Sequence, residues 1–390
     1  MSNSSISTFL LLSKAFAALQ NKYCYLKMLR FIFRTLFVSI FLVLIIDFAF
    51  GKLILAKFDK YFSTTNFYER LIRIDHVYYH HTLRPNVKYK KAQSFDSYFT
   101  LCTDNHGFKF KCDKKRGKEF DYAFMGDSFV EGVALEYNKT FVGIFEKKKN
   151  VSVANLGVTS YSPSIYLSKI KFLIENNYKF KNIIVFIDVS DLYDDNVFYL
   201  QNSDLSVTEK NAKEKNLKRR KFLKRNFPLL NFYTYVIKMN RRINKEVPPL
   251  TSEFPIFTKK ANLKAEWTYS KSDTIPDYVS PVSETKAQMI NSMTKLHNLL
   301  KKNNIKLSLA IYPWPQQIKN DVVDSEHVKM WEEFCVLKCE KFINFFPLFF
   351  EKKKNSSYLE VYKKYYFWND VHFNKDGNKL IANKLLTTFD

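Results

Sequence analysis

Three side chains at the edges of apolar runs could do chemistry in this chain. Ser128 follows Gly126 and Asp127 directly behind Ala123, Phe124 and Met125, and Asp370 and His372 stand one residue apart in "WNDVHFNKDG" (368–377). In an extended or turned backbone, such a pair can set the carboxylate against the imidazole Nδ1 and leave Nε2 free to take a proton from a hydroxyl. A serine served in this way can open an ester through a covalent acyl-enzyme. The same pair also reads as a capping Asp and a surface His before a final helix. Elsewhere His76, His80, His81, His106, His297 and His327 have no comparable companion in the sequence.

The elements that must position these residues are legible from apolar patterning. Runs at 121–127, 151–157, 182–190, 305–313 and 341–347 are short and rich in Val, Ile and Phe, which predicts strands buried on both faces. Helical patterns lie between or after them at 140–149, 162–176, 283–303, 325–341 and 374–388. Such alternation implies an α/β fold, a parallel sheet between two helical layers. Ligands of open α/β sheets bind at the carboxyl ends of the strands, and Ser128 falls at one of them. Two further strand ends could contribute: Asn155 and Gly157 after the second run, and Ser190 and Asp191 after the third. A glycine N–H there can approach a developing oxyanion closely.

The domain reading is a segment of 1–30, an apolar stretch of 31–51, an irregular lead-in of 52–120 and a main domain of 121–390 with an insertion at about 195–280. From Phe31 to Phe50 only Arg34 and Asp47 are charged, and Thr35 to Ile46 is an uninterrupted uncharged core. That is close to the ~20 residues that span a bilayer. Lys14, Lys22, Lys27, Arg30 and Arg34 precede the core, so the positive-inside rule sets the N-terminus in the cytoplasm and the domain outside it. Ala49 and Gly51 would also suit a cleaved signal peptide, for which Met28 offers an alternative start.

The net charge of +24 on 390 residues invites a nucleic-acid reading. Lysine, however, outnumbers arginine 51 to 11, and the arginines that read base edges are scarce; no nucleic-acid partner is expected. Nine of residues 210–225 are Lys or Arg, either a solvated helix face or a contact for an anionic membrane surface. Cys102, Cys112, Cys335 and Cys339 lie beyond the apolar stretch and could pair in an oxidising compartment or remain buried thiols. Zinc-ligand spacing is absent from them.

On "GDSF" (126–129), "NLG" (155–157) and "DVHFNKDG" (370–377), in that order along 121–390, the chain resembles the SGNH hydrolases, also called GDSL-type esterases and lipases. "TDNHGFKF" (103–110) is similar to the segment that precedes the serine block in membrane-anchored members. The resemblance implies a flavodoxin-like three-layer sandwich with Ser128 as nucleophile, His372 as base and Asp370 orienting it. It further implies an oxyanion hole from the N–H groups of Ser128 and Gly157. Asp127, Asn155 and Asp191 would be loop scaffolding, with no metal or cofactor needed. The third block departs from the family's Gly-x-Asn-Asp: here it is Asp188, Val189, Ser190, Asp191, with Ser190 the candidate stand-in donor. The implied activity is ester hydrolysis by an anchored extracytoplasmic enzyme. Transfer of an acyl group to an envelope polysaccharide by the same residues, and a non-catalytic glycan-binding member, are the alternatives; the substrate would be an acyl ester or acylated glycan.

Overall fold

The structure, a computed structural model, describes residues 3–50, 72–94, 97–210, 227 and 263–389. The basic run at 210–225 lies outside the described residues except for Lys210. The chain divides into two compact units, one of 1–63 with 215–247 and one of 64–214 with 248–390.

In the first unit, helix α1 (Asn3–Phe50) is the one helix among the described residues long and apolar enough to cross a membrane. Its window Tyr25–Ala49 has a mean hydropathy of 2.3 and leaves its apolar side chains uncovered. A helix so largely apolar and exposed is suited to lipid.

The second unit is built on five parallel strands: β5 (Glu119–Met125), β6 (Val153–Asn155), β7 (Lys179–Ile187), β10 (Lys306–Ile311) and β11 (Lys341–Asn344). Their spatial order is β11-β10-β7-β5-β6. Numbered by appearance within the sheet this is 2-1-3-4-5, the flavodoxin-like doubly wound order. All residues of Ile183–Ile187 are fully buried, as a central strand covered by helices on both faces demands. The connection from β5 to β6 runs opposite to the later ones, so right-handed crossovers place its helix Phe141–Lys149 on one face and Pro163–Glu175 and Val282–Lys302 on the other. The final helix, Lys375–Thr388, packs beside Phe141–Lys149, whereas Val282–Lys302 packs beside Pro163–Glu175.

Helix starts follow local chemistry. Thr140 and Ser325 accept from the N–H groups of Gly143 and Val328, and Asn374 accepts from Asp376 and Gly377, each satisfying donors that the first turn leaves open.

Among its described residues the lead-in is not irregular. It forms two antiparallel hairpins, β1 (Arg73–His76) with β2 (His80–Leu83) and β3 (Lys88–Ser94) with β4 (Ser97–Cys102). Strands β1, β2 and β3 are short and polar, rich in His and Lys, and only β4 is apolar, so the pattern of the main sheet does not announce them. The insertion contributes a third hairpin, β8 (Tyr199–Gln201) with β9 (Val207–Glu209). Helices at Phe346–Lys354 and Tyr358–Tyr365 fill a stretch that sequence patterning left unassigned.

Both cysteine pairs are disulfides, Cys102–Cys112 and Cys335–Cys339. The second joins residues four apart across the end of the helix, which closes at Lys338, with the Cα atoms 4.7 Å apart. A separation of this size is within the range a disulfide spans.

Candidate active site

Ser128 opens a four-residue helix, Ser128–Glu131, immediately past the carboxyl end of β5. Gly126 is required there: a Cβ would lie 2.4 Å from Val130 Cγ2 and 3.0 Å from the Phe186 carbonyl oxygen. Asp127 caps the turn, Oδ1 accepting the Phe129 N–H at 2.9 Å. The buried Lys109 closes its other end, donating to the carbonyls of Gly132 and Leu135 at 2.6 Å each. Burial pushes this lysine down to about 8. The lead-in motif is thereby part of the nucleophile's support.

His372 and Asp370 arrive from the other end of the chain on a loop pinned in several places. The Phe367 N–H donates to the His372 carbonyl at 2.9 Å, and the Asp370 N–H donates to the Phe367 carbonyl and the Tyr362 hydroxyl at 3.2 Å each. Asn369 takes a positive φ of 56° at the bend, a conformation that asparagine tolerates. Phe129, next to the serine, packs its ring 4.8 Å from the imidazole.

The three side chains form one chain of contacts. Ser128 Oγ lies 2.6 Å from His372 Nε2, and His372 Nδ1 bonds Asp370 Oδ1, which also accepts the His372 backbone N–H at 2.8 Å. A carboxylate only accepts, so Nδ1 carries the proton and Nε2 is left as acceptor for the hydroxyl. Ser128 Oγ also lies 3.0 Å from Asp127 Oδ2. Burial, reinforced by Asp188, pushes the Asp127 carboxyl well above the usual range. The Ser128 hydroxyl thus has two neighbours, the Asp127 carboxyl and the His372 Nε2, and the shorter contact is the one to the imidazole.

The third block is organised differently from the expectation. Asp188 Oδ1 accepts from the Ser190 N–H at 2.7 Å, the Ser190 hydroxyl at 2.9 Å and the Asp191 N–H at 3.2 Å, while Oδ2 accepts from Trp314 Nε1 at 2.9 Å. The Ser190 hydroxyl is engaged by Asp188 and would have to leave it to reach an oxyanion, as the Gly157 N–H would have to leave Asn155. Asp127, Asp188 and Asp191 have carboxyl oxygens within 4.8 Å of one another. By spacing they could offer ligand oxygens to a cation, but the oxygens of Asp188 are already occupied by protein donors. Burial, then Asp188 and Asp127, push Asp191 well above the usual range, and its Oδ2 accepts from the Tyr166 hydroxyl at 2.8 Å.

Gly157 packs directly on the nucleophile turn: a Cβ would lie 2.5 Å from the Glu131 nitrogen and 2.6 Å from Val130 Cβ. Its N–H donates to Asn155 Oδ1 at 3.1 Å, and Asn155 Nδ2 donates to the Val130 carbonyl at 2.8 Å. Asn155 thus braces the loop against the turn. Sequence reasoning missed Glu131, Arg73 and Thr159, and it named Asp188 in the third block without a role. Of the three missed, Glu131, a carboxylate three residues past Ser128, had a local signal. Away from the site, His80 Nδ1 lies 2.8 Å from His81 Nδ1, and His80 Nε2 lies 3.5 Å from Glu209 Oε1.

A doubly wound α/β protein with Ser, His and Asp gathered at the switch point of its sheet is the class that the fold and site define. No family model and no curated protein matches the chain. Among solved structures it is similar to a member of the lipolytic G-D-S-L family from Veillonella parvula, at 12% identity and a TM-score of 0.37 over 70% of this chain and 98% of that one. It is also similar to the psychrotrophic esterase EstA from a Pseudoalteromonas species, at 10% identity and 0.34 over 70% and 97%. An acetylxylan esterase from Geobacillus stearothermophilus matches at 10% identity and 0.32 over 70% and 93%. At such scores the likeness assigns no role to any residue.

Proposed function

We propose that this chain is a serine acylhydrolase held at a membrane by α1, its domain of 121–390 and the supporting lead-in lying outside the cytoplasm. The observation that carries the reading is the 2.6 Å contact of Ser128 Oγ with His372 Nε2, with Asp370 bonded to Nδ1 behind it. In this reading His372 takes the hydroxyl proton as Oγ attacks an ester carbonyl, and Asp370 stabilises the imidazolium. His372 then returns the proton to the leaving alcohol, and water or an acceptor hydroxyl, activated by the same imidazole, releases the acyl group. The N–H of Ser128 and that of Gly157, after leaving Asn155, would hold the oxyanion. The two disulfides are compatible with an oxidising compartment.

The test is turnover of short acyl esters by the full chain in detergent, with and without a carbohydrate acceptor, together with labelling by a small organophosphonate. Ser128→Ala should abolish both turnover and labelling. Acylation of the acceptor in preference to hydrolysis would shift the assignment to an acyltransferase. Full turnover by the Ser128→Ala chain would refute the catalytic reading.

A further inference from the structure

The lead-in hairpin reaches the loop that carries Gly157. Thr159, two residues beyond that glycine, has every polar atom engaged. Its N–H donates to Glu131 Oε2 at 2.8 Å, and its hydroxyl lies 3.1 Å from the same oxygen. Arg73 Nη2 donates to the hydroxyl oxygen at 2.8 Å. The Thr159 carbonyl accepts from His81 Nε2 at 2.9 Å; a carbonyl cannot donate, so that ring nitrogen carries the proton.

Glu131 is the last residue of the nucleophile helix and is 1% exposed. Arg73 Nη2 reaches both its oxygens, at 3.0 Å and 2.9 Å. Burial alone would raise this carboxyl; the charges of Arg73 and Lys109 outweigh it and hold Glu131 below the usual range. A buried carboxylate with so many donors is an anchor, because losing any partner leaves charge without compensation. The anchor lies where Gly157 meets the turn at Val130 and Glu131, so it bears on the spacing between Ser128 and the Gly157 N–H.

We propose that Glu131, Arg73 and Thr159 form a positioning clamp that sets the oxyanion loop against the nucleophile, making the lead-in hairpin a working part of the acyl-transfer site. The clamp rests on the acyl-transfer reading above. Its members touch no reacting atom; they act through Gly157 and Ser128. Small errors in such a spacing are costly, since a misplacement of about 1 Å can lower a rate by about 100-fold.

The experiment compares the wild-type full chain in detergent with Thr159→Val, Arg73→Gln, Arg73→Lys and Glu131→Gln. p-Nitrophenyl acetate is the substrate, a small organophosphonate the Ser128 label, and the thermal midpoint is recorded for each. Thr159→Val is close to isosteric and keeps the measurement interpretable if Glu131→Gln fails to fold. The clamp requires kcat of Thr159→Val to fall by about 10-fold or more with KM within about twofold, the signature of a loss confined to the transition state. Phosphonylation should slow in parallel, because the phosphonyl oxygen needs the same donors, and Arg73→Lys should recover part of what Arg73→Gln loses. Folded Thr159→Val and Arg73→Gln chains with kcat within twofold of wild type would overturn the clamp and leave the acyl-transfer reading standing. A wild-type chain that neither turns over ester nor labels would overturn that reading, and the clamp's role with it.

Discussion

Replacing Asp370 by Asn isolates the carboxylate's charge from its geometry. Asp370 Oδ1 accepts both the imidazole Nδ1–H and the His372 backbone N–H. An Asn carbonyl oxygen can occupy the same position and accept both, so the substitution need not invert the tautomer. What disappears is the attraction between the carboxylate and the imidazolium formed during attack. Two unit charges at about 4 Å attract by about 4 kcal/mol at an effective dielectric constant of about 20. Here the His372 and Asp370 side chains are 19% and 25% exposed, and solvent screening of that degree reduces the value to about 2 kcal/mol. At 1.36 kcal/mol per tenfold, kcat should fall by about 30-fold with KM little changed. Steady-state kinetics on a short ester, with wild type and His372→Ala alongside, supply the numbers. A kcat within threefold of wild type would refute the role given to the charge. A loss near 10⁴-fold, as when a wrong tautomer is locked in, would refute the argument that one oxygen serves both bonds.

Gly157→Ala should be harmful twice over. Its Cβ would meet the Glu131 nitrogen and Val130 Cβ at 2.5 Å and 2.6 Å, so overpacking of about 1–3 kcal/mol is expected in thermal or urea unfolding, with a drop of about 100-fold in kcat from the displaced loop. The buried His327, between the rings of Trp267 and Phe346, is pushed down to about 4, first by burial. Between pH 4 and the unfolded value near 6.5, the unfolded chain binds this proton and the folded one does not, so stability rises with pH across that window. His327→Leu should flatten the rise by about 2 kcal/mol between pH 5 and 7 in urea titrations, and an unchanged slope would refute it. For the topology, a reporter active only in the cytoplasm and fused at the C-terminus should be silent; activity from it would reverse the orientation proposed for α1.

The parts legible in the sequence are those encoded by neighbours along the chain. The apolar runs ending near Met125, Asn155, Ile187, Ile311 and Asn344 form the sheet, the inner strands buried on both faces and β11 only partly covered at the edge, and the helix caps at Thr140, Ser325 and Asn374 are satisfied within three residues. Ser128 could be placed at a strand end, and Asp370 beside His372, on the same local grounds. The hairpins of the lead-in are hidden in the sequence because three of their four strands are polar and only β4 is apolar.

Tertiary structure alone decided the rest. The contact between Ser128 and His372 joins positions 244 residues apart, and spacing along a chain carries no distance across a sheet. Whether the Ser190 hydroxyl faced an oxyanion or the neighbouring Asp188 was a matter of one side-chain torsion, resolved by a carboxylate that also takes the indole N–H of Trp314 from another strand end. Arg73 carries no signal in its own segment. Its place against Glu131 and Thr159 follows from hairpin β1–β2 packing on the nucleophile turn, where a buried carboxylate needs a cation that only a distant part of the chain supplies.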